Sequence, residues 1–213
     1  MSTNPEELRK QWMSHGLERD TLNPDPVRQF EHWYTQAIDS GIPEPNAMSL
    51  ATVDTNGQPW IRTVLLKLYD AAGFVFFTNY ESAKARQIAT NHKVGLLFPW
   101  VALGRQVKIT GSAEKIPTAE SMKYFASRPR GSQNGAWASP QSQIISSRSL
   151  LDAKIDEIRR KFSKGEIPLP SFWGGYRVTP FEIEFWQARE NRLHDRFVYV
   201  KNGTDWAIER RAP

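Results

Sequence analysis

The sequence predicts a mainly β, α+β fold in which an antiparallel barrel or strongly curled sheet carries peripheral helices. Short β-rich runs outnumber the helical stretches. Two of the connections between runs, 54–57 and 70–73, are short and end in glycine, and strands joined so tightly are antiparallel. The alternation of strands and helices that marks a doubly wound nucleotide fold is missing from the sequence. At 213 residues the chain is expected to form one domain, 1–213.

The first elements are expected to be helical, at about 5–41. Asp25 stands where it can cap a helix, with Pro26 in the first turn. Apolar residues then follow helical spacing as far as about Ser40, at Val27, Phe30, Tyr34, Ala37 and Ile38. The β-rich runs come next, at 47–54, 59–69, 74–79, 93–101 and 105–114.

Three helical insertions are expected after the first strands, at about 82–91, 118–127 and 148–162. Strands return at 173–187, 194–200 and 205–210. The segment 128–147 is rich in Ser, Gln, Gly and Pro and has no clear periodicity. It is interpreted as either a disordered linker or an ordered functional loop.

Composition removes several function classes. The chain has no cysteine, so disulfides, thiolate metal sites and cysteine nucleophiles are excluded, and a reducing cytoplasm is the expected location. The polar N-terminus lacks the apolar core of a secretory signal, and the longest nearly apolar stretch, 94–104, is too short to span a membrane. We therefore expect a soluble protein with no membrane partner. The four histidines are isolated from one another, so no metal site is expected.

Charge and aromatic content favour an anionic partner without choosing one. The formal net charge is +5, and eight tryptophans accompany the arginines. Such a mixture would suit single-stranded nucleic acid as well as a phosphorylated small molecule.

The most informative segment is 183–196. If it is a strand, Arg192, His194 and Arg196 point to one face, and Trp186 adds an aromatic plane. Adjacent cationic groups are tolerated when they are solvated, offset by acids or directed at an anion. The pattern therefore indicates either an exposed charged face or a pocket for a flat, anionic ligand.

Other basic and hydroxyl groups cluster at the ends of predicted elements. Thr78, Ser82 and Lys84 surround a strand-to-helix junction that could bind a phosphate, although Ser82 could equally be an ordinary helix cap. Arg62 and Lys67 would face opposite sides of a regular strand unless a bulge intervenes. Tyr124 and Arg128 have i,i+4 spacing, which fits a ligand site or a simple helical pair.

Taken together, these segments resemble the pyridoxine/pyridoxamine 5′-phosphate oxidase family from about Leu8 to Pro213. The resemblance rests on the segment 183–196 and on further motifs: Arg62-Thr63-Val64-Leu65-Leu66-Lys67, Phe76-Phe77-Thr78-Asn79, Leu97-Phe98-Pro99-Trp100 with Arg105-Gln106-Val107, Tyr124-Phe125-Ala126-Ser127-Arg128-Pro129-Arg130, Ser132-Gln133-Asn134-Gly135-Ala136-Trp137, Pro168-Leu169-Pro170-Ser171-Phe172-Trp173-Gly174-Gly175 and Arg211-Ala212-Pro213.

The resemblance implies a Greek-key-like, FMN-binding split β-barrel that forms a homodimer with FMN at the interface. It further implies oxidation of pyridoxine or pyridoxamine 5′-phosphate to pyridoxal 5′-phosphate, with O2 as the final acceptor and no nucleic-acid partner. The implied FMN contacts are Arg62, Thr63, Val64, Leu65, Leu66, Lys67, Phe77, Thr78, Lys84, Gln106, Gln141, Ser142, Trp186 and Arg196. The implied substrate contacts are Arg9, Lys67, Tyr124, Arg128, Ser132, Arg192 and His194, of which Arg192 and His194 are the catalytic pair.

Three positions depart from the family's pattern. Ala83 stands where members commonly carry Arg, so one contact to the FMN phosphate is expected to be missing, and Arg86 is a hypothetical substitute. Trp12 replaces a common Tyr, and Asn134 replaces an aliphatic residue. Two other hypotheses stay open: an FMN-binding relative with a different substrate, and a module for single-stranded nucleic acid.

Overall fold

The computed structural model describes residues 4–213, and nine strands form one sheet in that range. The strand order is β2-β1-β5-β6-β7-β4-β3, with β8 paired to β7 and β9 to β8. The strands are β1 Ala47–Val53, β2 Pro59–Leu65, β3 Leu68–Asp70, β4 Gly73–Asn79, β5 Lys93–Trp100, β6 Arg105–Lys115, β7 Trp173–Gln187, β8 Asp195–Asn202 and β9 Asp205–Arg210.

Six α-helices surround this sheet in the described part of the chain. They are α1 Pro5–His15, α2 Pro26–Asp39, α3 Ala83–Thr90, α4 Thr118–Ser127, α5 Arg130–Ala138 and α6 Arg148–Lys161. None of the helices within residues 4–213 is long and apolar enough to cross a membrane.

The long strand β7 makes the sheet curl. Its first part pairs with β4 and its last part with β8, while β6 runs along most of its length. The β6–β7 register shifts between Thr110 and Gly111, and such a bulge bends and twists a strand. Every strand pair is antiparallel, which confirms the predicted antiparallel, strongly curled sheet with peripheral helices.

Helix α2 closes the core on one side of the sheet. Its expected cap is confirmed, because the Asp25 carboxylate accepts a hydrogen bond from the Val27 N–H at 2.8 Å. Phe30 and Trp33 on its inner face are fully buried, and the Phe30 ring lies 4.9 Å from that of Phe74. This apolar contact fixes the helix on the sheet.

Two expectations about element boundaries need correction. The run 59–69 is two strands, because the chain leaves β2 after Leu65 and the Lys67 N–H pairs instead with the Val75 carbonyl at 2.9 Å. The segment 128–147 contains the helix α5, which the sequence did not predict because Gly131 and Gly135 weaken the helical signal. The Trp137 indole N–H donates to the Pro168 carbonyl at 2.8 Å, which ties the segment to the fold.

Candidate active site

A cavity of about 420 Å³ lies where β2, β4, α4 and the start of α3 meet. It brings together predicted cofactor ligands from three separate parts of the chain: Thr63, Val64, Leu65, Lys67, Phe77, Thr78, Lys84 and Gln141. The predicted substrate ligands on its wall are Lys67, Tyr124, Arg128 and Ser132. Pro129 and Trp173 complete the lining, and neither was predicted from the sequence to contact a ligand.

Lys84 lies in the first turn of α3, at one end of this cavity. The Ser82 side chain caps the helix through the Ala85 N–H, which was one of the two alternatives for this junction. The Lys84 ammonium donates to Gln141 Oε1 at 2.9 Å and to Thr78 Oγ1 at 3.2 Å. Burial lowers the pKa of Lys84 to about 8, and the nearby positive charge of Arg62 adds to the effect. A bound anion would favour the charged ammonium and so raise this pKa again.

Arg62 and Leu66 do not line the cavity with their side chains. The Arg62 guanidinium turns toward β1 and α3, where it donates to the Leu50 carbonyl at 3.2 Å and to Gln87 Oε1 at 3.0 Å. Leu66 is part of the hydrophobic core, so a ligand in the cavity could reach only its backbone. The break between β2 and β3 lets Lys67 line the same cavity as Thr63 and Leu65.

An aromatic stack forms another wall. The Phe77 ring lies 3.9 Å from that of Tyr124 and 5.4 Å from that of Trp173, and the rings are nearly parallel. The Arg128 guanidinium lies 4.6 Å above Trp173, where the cation meets the ring face. Burial lowers the pKa of Arg128 and raises that of Tyr124. Tyr124 and Arg128 therefore serve one site, although Arg128 is the residue after α4 rather than part of it.

The positive charges at this cavity have no acidic partners. Among the ion pairs within residues 4–213, none involves Lys67, Lys84 or Arg128, or Arg62 beside the cavity. The Arg128 Nη1 atom is buried and has no hydrogen-bond partner at all. Buried donors are normally paired, so the arrangement fits an anionic ligand. The flat aromatic wall fits a ligand with a ring.

The remaining predicted ligands lie elsewhere. Gln106 and Trp186 line a groove of about 340 Å³ on the outward face of β2, β1, β5, β6 and β7. Thr63, Ser49, Leu97, Lys108 and Glu184 are successive partners in one row across these strands. Four strand spacings of about 4.8 Å therefore put the two edges of the row roughly 19 Å apart.

The condition under which Arg192, His194 and Arg196 would alternate along one strand is not met. Strand β8 begins only at Asp195, and Arg192 belongs to a 3-10 turn, Glu190–Arg192, where its φ is +61°. The His194 ring packs 4.5 Å from that of Trp186, and its Nδ1 accepts the Arg189 N–H at 3.1 Å. This bond places the proton of the neutral ring on Nε2.

Arg196 is held by a carboxylate that was not predicted from the sequence. Its guanidinium donates to Glu184 Oε2 at 2.8 Å, and Lys108 reaches the same oxygen at 3.1 Å. Burial alone would raise the pKa of Glu184, but these two bonds outweigh it and lower that pKa. Glu184 and Lys108 are directly paired residues of β6 and β7, so only the strand register could have revealed the contact.

Comparison with known proteins supplies the family. Residues 34–162 match the family model "Pyridoxamine 5′-phosphate oxidase", and residues 173–213 match the model "Pyridoxine 5′-phosphate oxidase C-terminal dimerisation region". The chain belongs to the pyridoxamine 5′-phosphate oxidase family.

Close relatives of this oxidase-family chain match it over nearly their full length. A pyridoxine/pyridoxamine 5′-phosphate oxidase of Rippkaea orientalis is 62% identical, with 97% of this chain and 98% of the relative covered. The protein of the same name from Aliarcobacter butzleri is 58% identical over the same shares of the two chains. Among solved structures, PhzG from Burkholderia lata 383, in complex with tetrahydrophenazine-1-carboxylic acid, aligns with a TM-score of 0.87 at 29% identity and covers 92% of this chain and 98% of its own.

Two further residues lie outside the cavity of this oxidase-family chain: Arg86, the hypothetical substitute for an arginine at position 83, and Ser142, a predicted FMN contact. Arg86 is exposed and donates to the Glu81 carbonyl, so it does not line the cavity in Ala83's place. Ser142 is also exposed and has a φ of +70°, and only its neighbour Gln141 reaches the cavity.

The N-terminal departure has a structural role. The Trp12 ring on α1 lies 3.6 Å from the Arg105 guanidinium, which packs α1 against the start of β6. Arg9 on the same helix is exposed and does not line the cavity. Asn134 is buried on α5, and its Oδ1 has no hydrogen-bond partner.

Proposed function

We propose that this chain oxidises pyridoxamine 5′-phosphate and pyridoxine 5′-phosphate to pyridoxal 5′-phosphate as an FMN-dependent homodimer. In this proposal O2 is the final electron acceptor and hydrogen peroxide is released. The supporting observation is the set of cations around one cavity without a carboxylate, including the unpaired Nη1 of Arg128. The relatives named as oxidases, at 52–62% identity, support the same substrates.

The FMN phosphate is assigned to the end of the cavity formed by Lys84, Thr78 and Gln141, with Arg62 beside it. These groups already bond to one another, so a phosphate would exchange existing polar contacts for stronger charged ones. The segment 62–67 and Phe77 would flank the ring. FMN would supply the electron acceptor for the hydride that leaves C4′ of the substrate, at its N5 atom.

The substrate phosphate is assigned to Lys67, Tyr124, Arg128 and Ser132. All four line the cavity, and Arg128 offers a planar fork that suits two phosphate oxygens. The Phe77–Tyr124–Trp173 stack limits the access of water on one side. A phosphate here would satisfy the buried donor on Arg128.

A homodimer with the site at its interface would account for the two groups of predicted ligands. The outward face between the groups carries small and apolar residues, and Ile61 on that face is 70% exposed. A two-fold axis through this face would place the Trp186 edge of one copy against the Lys84 edge of the other. Gln106, Trp186 and Arg196 would then complete the FMN site of the partner, and Arg192 and His194 would orient the substrate ring there.

A second function from the same family has one specific observation behind it. PhzG of Burkholderia lata, which shares this fold at 29% identity, was solved with tetrahydrophenazine-1-carboxylic acid rather than a pyridoxine phosphate. The ligand can therefore differ within the fold, and this favours a different substrate as the second candidate. A nucleic-acid module has less support, because Trp33, Trp100 and Trp173 are buried rather than offered to bases.

Absorption spectroscopy and a peroxide assay test the proposal. The purified protein should be yellow or become so with FMN, and should form hydrogen peroxide and pyridoxal 5′-phosphate in equal amounts from pyridoxine 5′-phosphate. Protein that holds FMN but leaves both phosphorylated substrates unchanged would favour the different-substrate function. A colourless protein that cannot take up FMN would reject both.

The affinity for FMN is expected to fall as the pH rises from 7 to 9. The pKa of Lys84 is about 8 in the unliganded protein, and a phosphate dianion favours the charged amine. Binding above that pKa requires proton uptake, so the affinity should approach a loss of about tenfold per pH unit. Fluorescence titration measures it, and Lys84→Met should give weaker binding with a flatter profile. Wild-type affinity that does not change over this range would contradict the role of Lys84.

Ala83→Arg is expected to tighten FMN binding. Ala83 opens α3 beside Lys84, and the nearby Arg86 is engaged by the Glu81 carbonyl. A guanidinium at position 83 would add a charge-assisted phosphate contact, with an expected gain of about tenfold in affinity. Ala89→Arg, on an exposed position of the same helix, is the matched control for added charge. Equal FMN affinities for wild type and Ala83→Arg would show that no contact is missing.

A further inference from the structure

A network of contacts joins the end of α1 to the segment that carries Arg192 and His194. At its centre is the Asp195 side chain, which is only 12% exposed. Its carboxylate accepts the Leu17 N–H at 3.0 Å and pairs with Arg210 at 2.7 Å and with Arg189 at 3.7 Å. Arg189 also donates to the Ser14 carbonyl at 3.2 Å. Two segments far apart in the sequence are therefore held at one carboxylate.

Gly16 makes this close approach possible. Its φ is +72°, a left-handed conformation that favours glycine. A Cβ at this position would overlap the Arg189 guanidinium and the Asp195 carboxylate. Any side chain at position 16 would therefore displace the Arg189 guanidinium and the Asp195 carboxylate from their present contacts.

The same network reaches His194 through the backbone. The N–H of Arg189 donates to His194 Nδ1 at 3.1 Å, so the position of Arg189 sets the orientation and tautomer of the ring. Arg192 lies between the two residues in a turn where both Asn191 and Arg192 have positive φ, at +54° and +61°. Such conformations persist only where surrounding contacts impose them.

Arg196 is anchored separately. It bonds to Glu184 at 2.8 Å and to the Ala212 carbonyl at 2.8 Å, and neither group contacts Asp195 through a hydrogen bond or ion pair in the described chain. Loss of the Asp195 contacts should therefore disturb residues 189–194 while leaving the proposed FMN contact of Arg196 in place.

We propose that Asp195 is a positioning residue, which together with Arg189 and Gly16 forms a latch between α1 and the segment 189–194. The latch holds Arg192 and His194 in the conformation that receives the substrate. This inference rests on the proposed function, and it adds a role for residues that touch neither cavity nor groove.

Amide hydrogen exchange and kinetics on the FMN-loaded full chain test the latch. Asp195→Asn keeps the shape of the side chain and removes its charge. The exchange of both the Leu17 and Arg189 amides should accelerate by about tenfold or more. Leu17 loses the charge of its acceptor, and Arg189 loses the ion pair that holds its own N–H against His194. The kcat/KM for pyridoxine 5′-phosphate should fall about tenfold, chiefly through KM, with FMN affinity unchanged within about twofold.

Two further variants separate the latch from general destabilisation. Gly16→Ala disrupts it from the other segment, so it should reproduce the KM effect, and the double variant should be no worse than either single one. Glu18→Gln is the control, because Glu18 pairs with Arg210 at 3.8 Å but does not touch Asp195. It should leave KM and both exchange rates unchanged.

Several results would overturn the latch. Faster exchange at Leu17 alone would mean that Asp195 secures α1 without positioning His194. An unchanged KM, or an equal loss of FMN affinity, would also reject the role. If the wild type binds FMN but oxidises neither phosphorylated substrate, the proposed function fails, and the exchange at Arg189 still decides whether the latch orders the segment.

Discussion

Arg128→Met is expected to lower kcat/KM for pyridoxine 5′-phosphate by about 100-fold or more without making the protein easier to unfold. The loss reflects the removal of a charged, forked phosphate contact from a partly buried site. Stability should hold because Arg128 already leaves one buried donor unpaired, and methionine can keep the apolar contact with Trp173. Steady-state peroxide assays and chemical denaturation of the apoprotein measure the two quantities.

Lys123→Met is the matched control for this variant. Lys123 lies on α4 next to Tyr124, is exposed and does not line the cavity, so its loss changes the net charge by the same amount. It should leave kcat/KM nearly unchanged. If Arg128→Met kept wild-type kinetics, or if Lys123→Met lost as much activity, the substrate phosphate would not bind where we place it.

Arg192→Ala should abolish nearly all turnover, with a fall in kcat/KM of about 1,000-fold and with FMN still bound. The reason is that Arg192 is exposed and unpaired by any carboxylate in residues 4–213, which frees it to contact the substrate ring across the proposed interface. An absorption spectrum reports the flavin, and a coupled peroxide assay reports turnover.

Two further variants test the role of Arg192 more closely. Arg192→Lys keeps the charge but loses the fork, so it should retain part of the activity. Glu190→Ala, in the same exposed turn, should be close to wild type. Turnover by Arg192→Ala at the wild-type rate would refute the role, and loss of FMN from this variant would reassign Arg192 to the cofactor.

The fold could be predicted largely from local patterns. The turn residues at 54–57 connect β1 to β2, and those at 70–73 connect β3 to β4. In the structure both pairs are antiparallel neighbours. Asp25 and Ser82 cap helices where expected. Helix α5 was missed because its glycines and Asn134 disfavour a helix, and tertiary contacts such as the Trp137 bond to Pro168 override that local preference.

The sequence indicated candidate site residues but not their arrangement. Residue type indicated Lys84, Arg128 and His194 because phosphates and polar rings require such groups. The contacts that hold residues of the candidate site and its surroundings come from distant positions, for example Glu184 at Arg196, Trp173 at Arg128 and Leu17 at Asp195. The periodicity of one sequence could not reveal these contacts. It also could not show that the predicted ligands form two groups separated by four strand spacings.

Mixing two inactive variants tests most directly whether the site is shared between two copies. Arg128→Met and Arg192→Ala alter opposite halves of the proposed site, so each homodimer should be nearly inactive. After denaturation of an equal mixture and refolding with FMN, half of the dimers should be mixed, and each should carry one intact site. We predict recovery of about a quarter of the wild-type activity. Mixtures that stay as inactive as the separate variants, although mixed dimers form, would contradict the shared site.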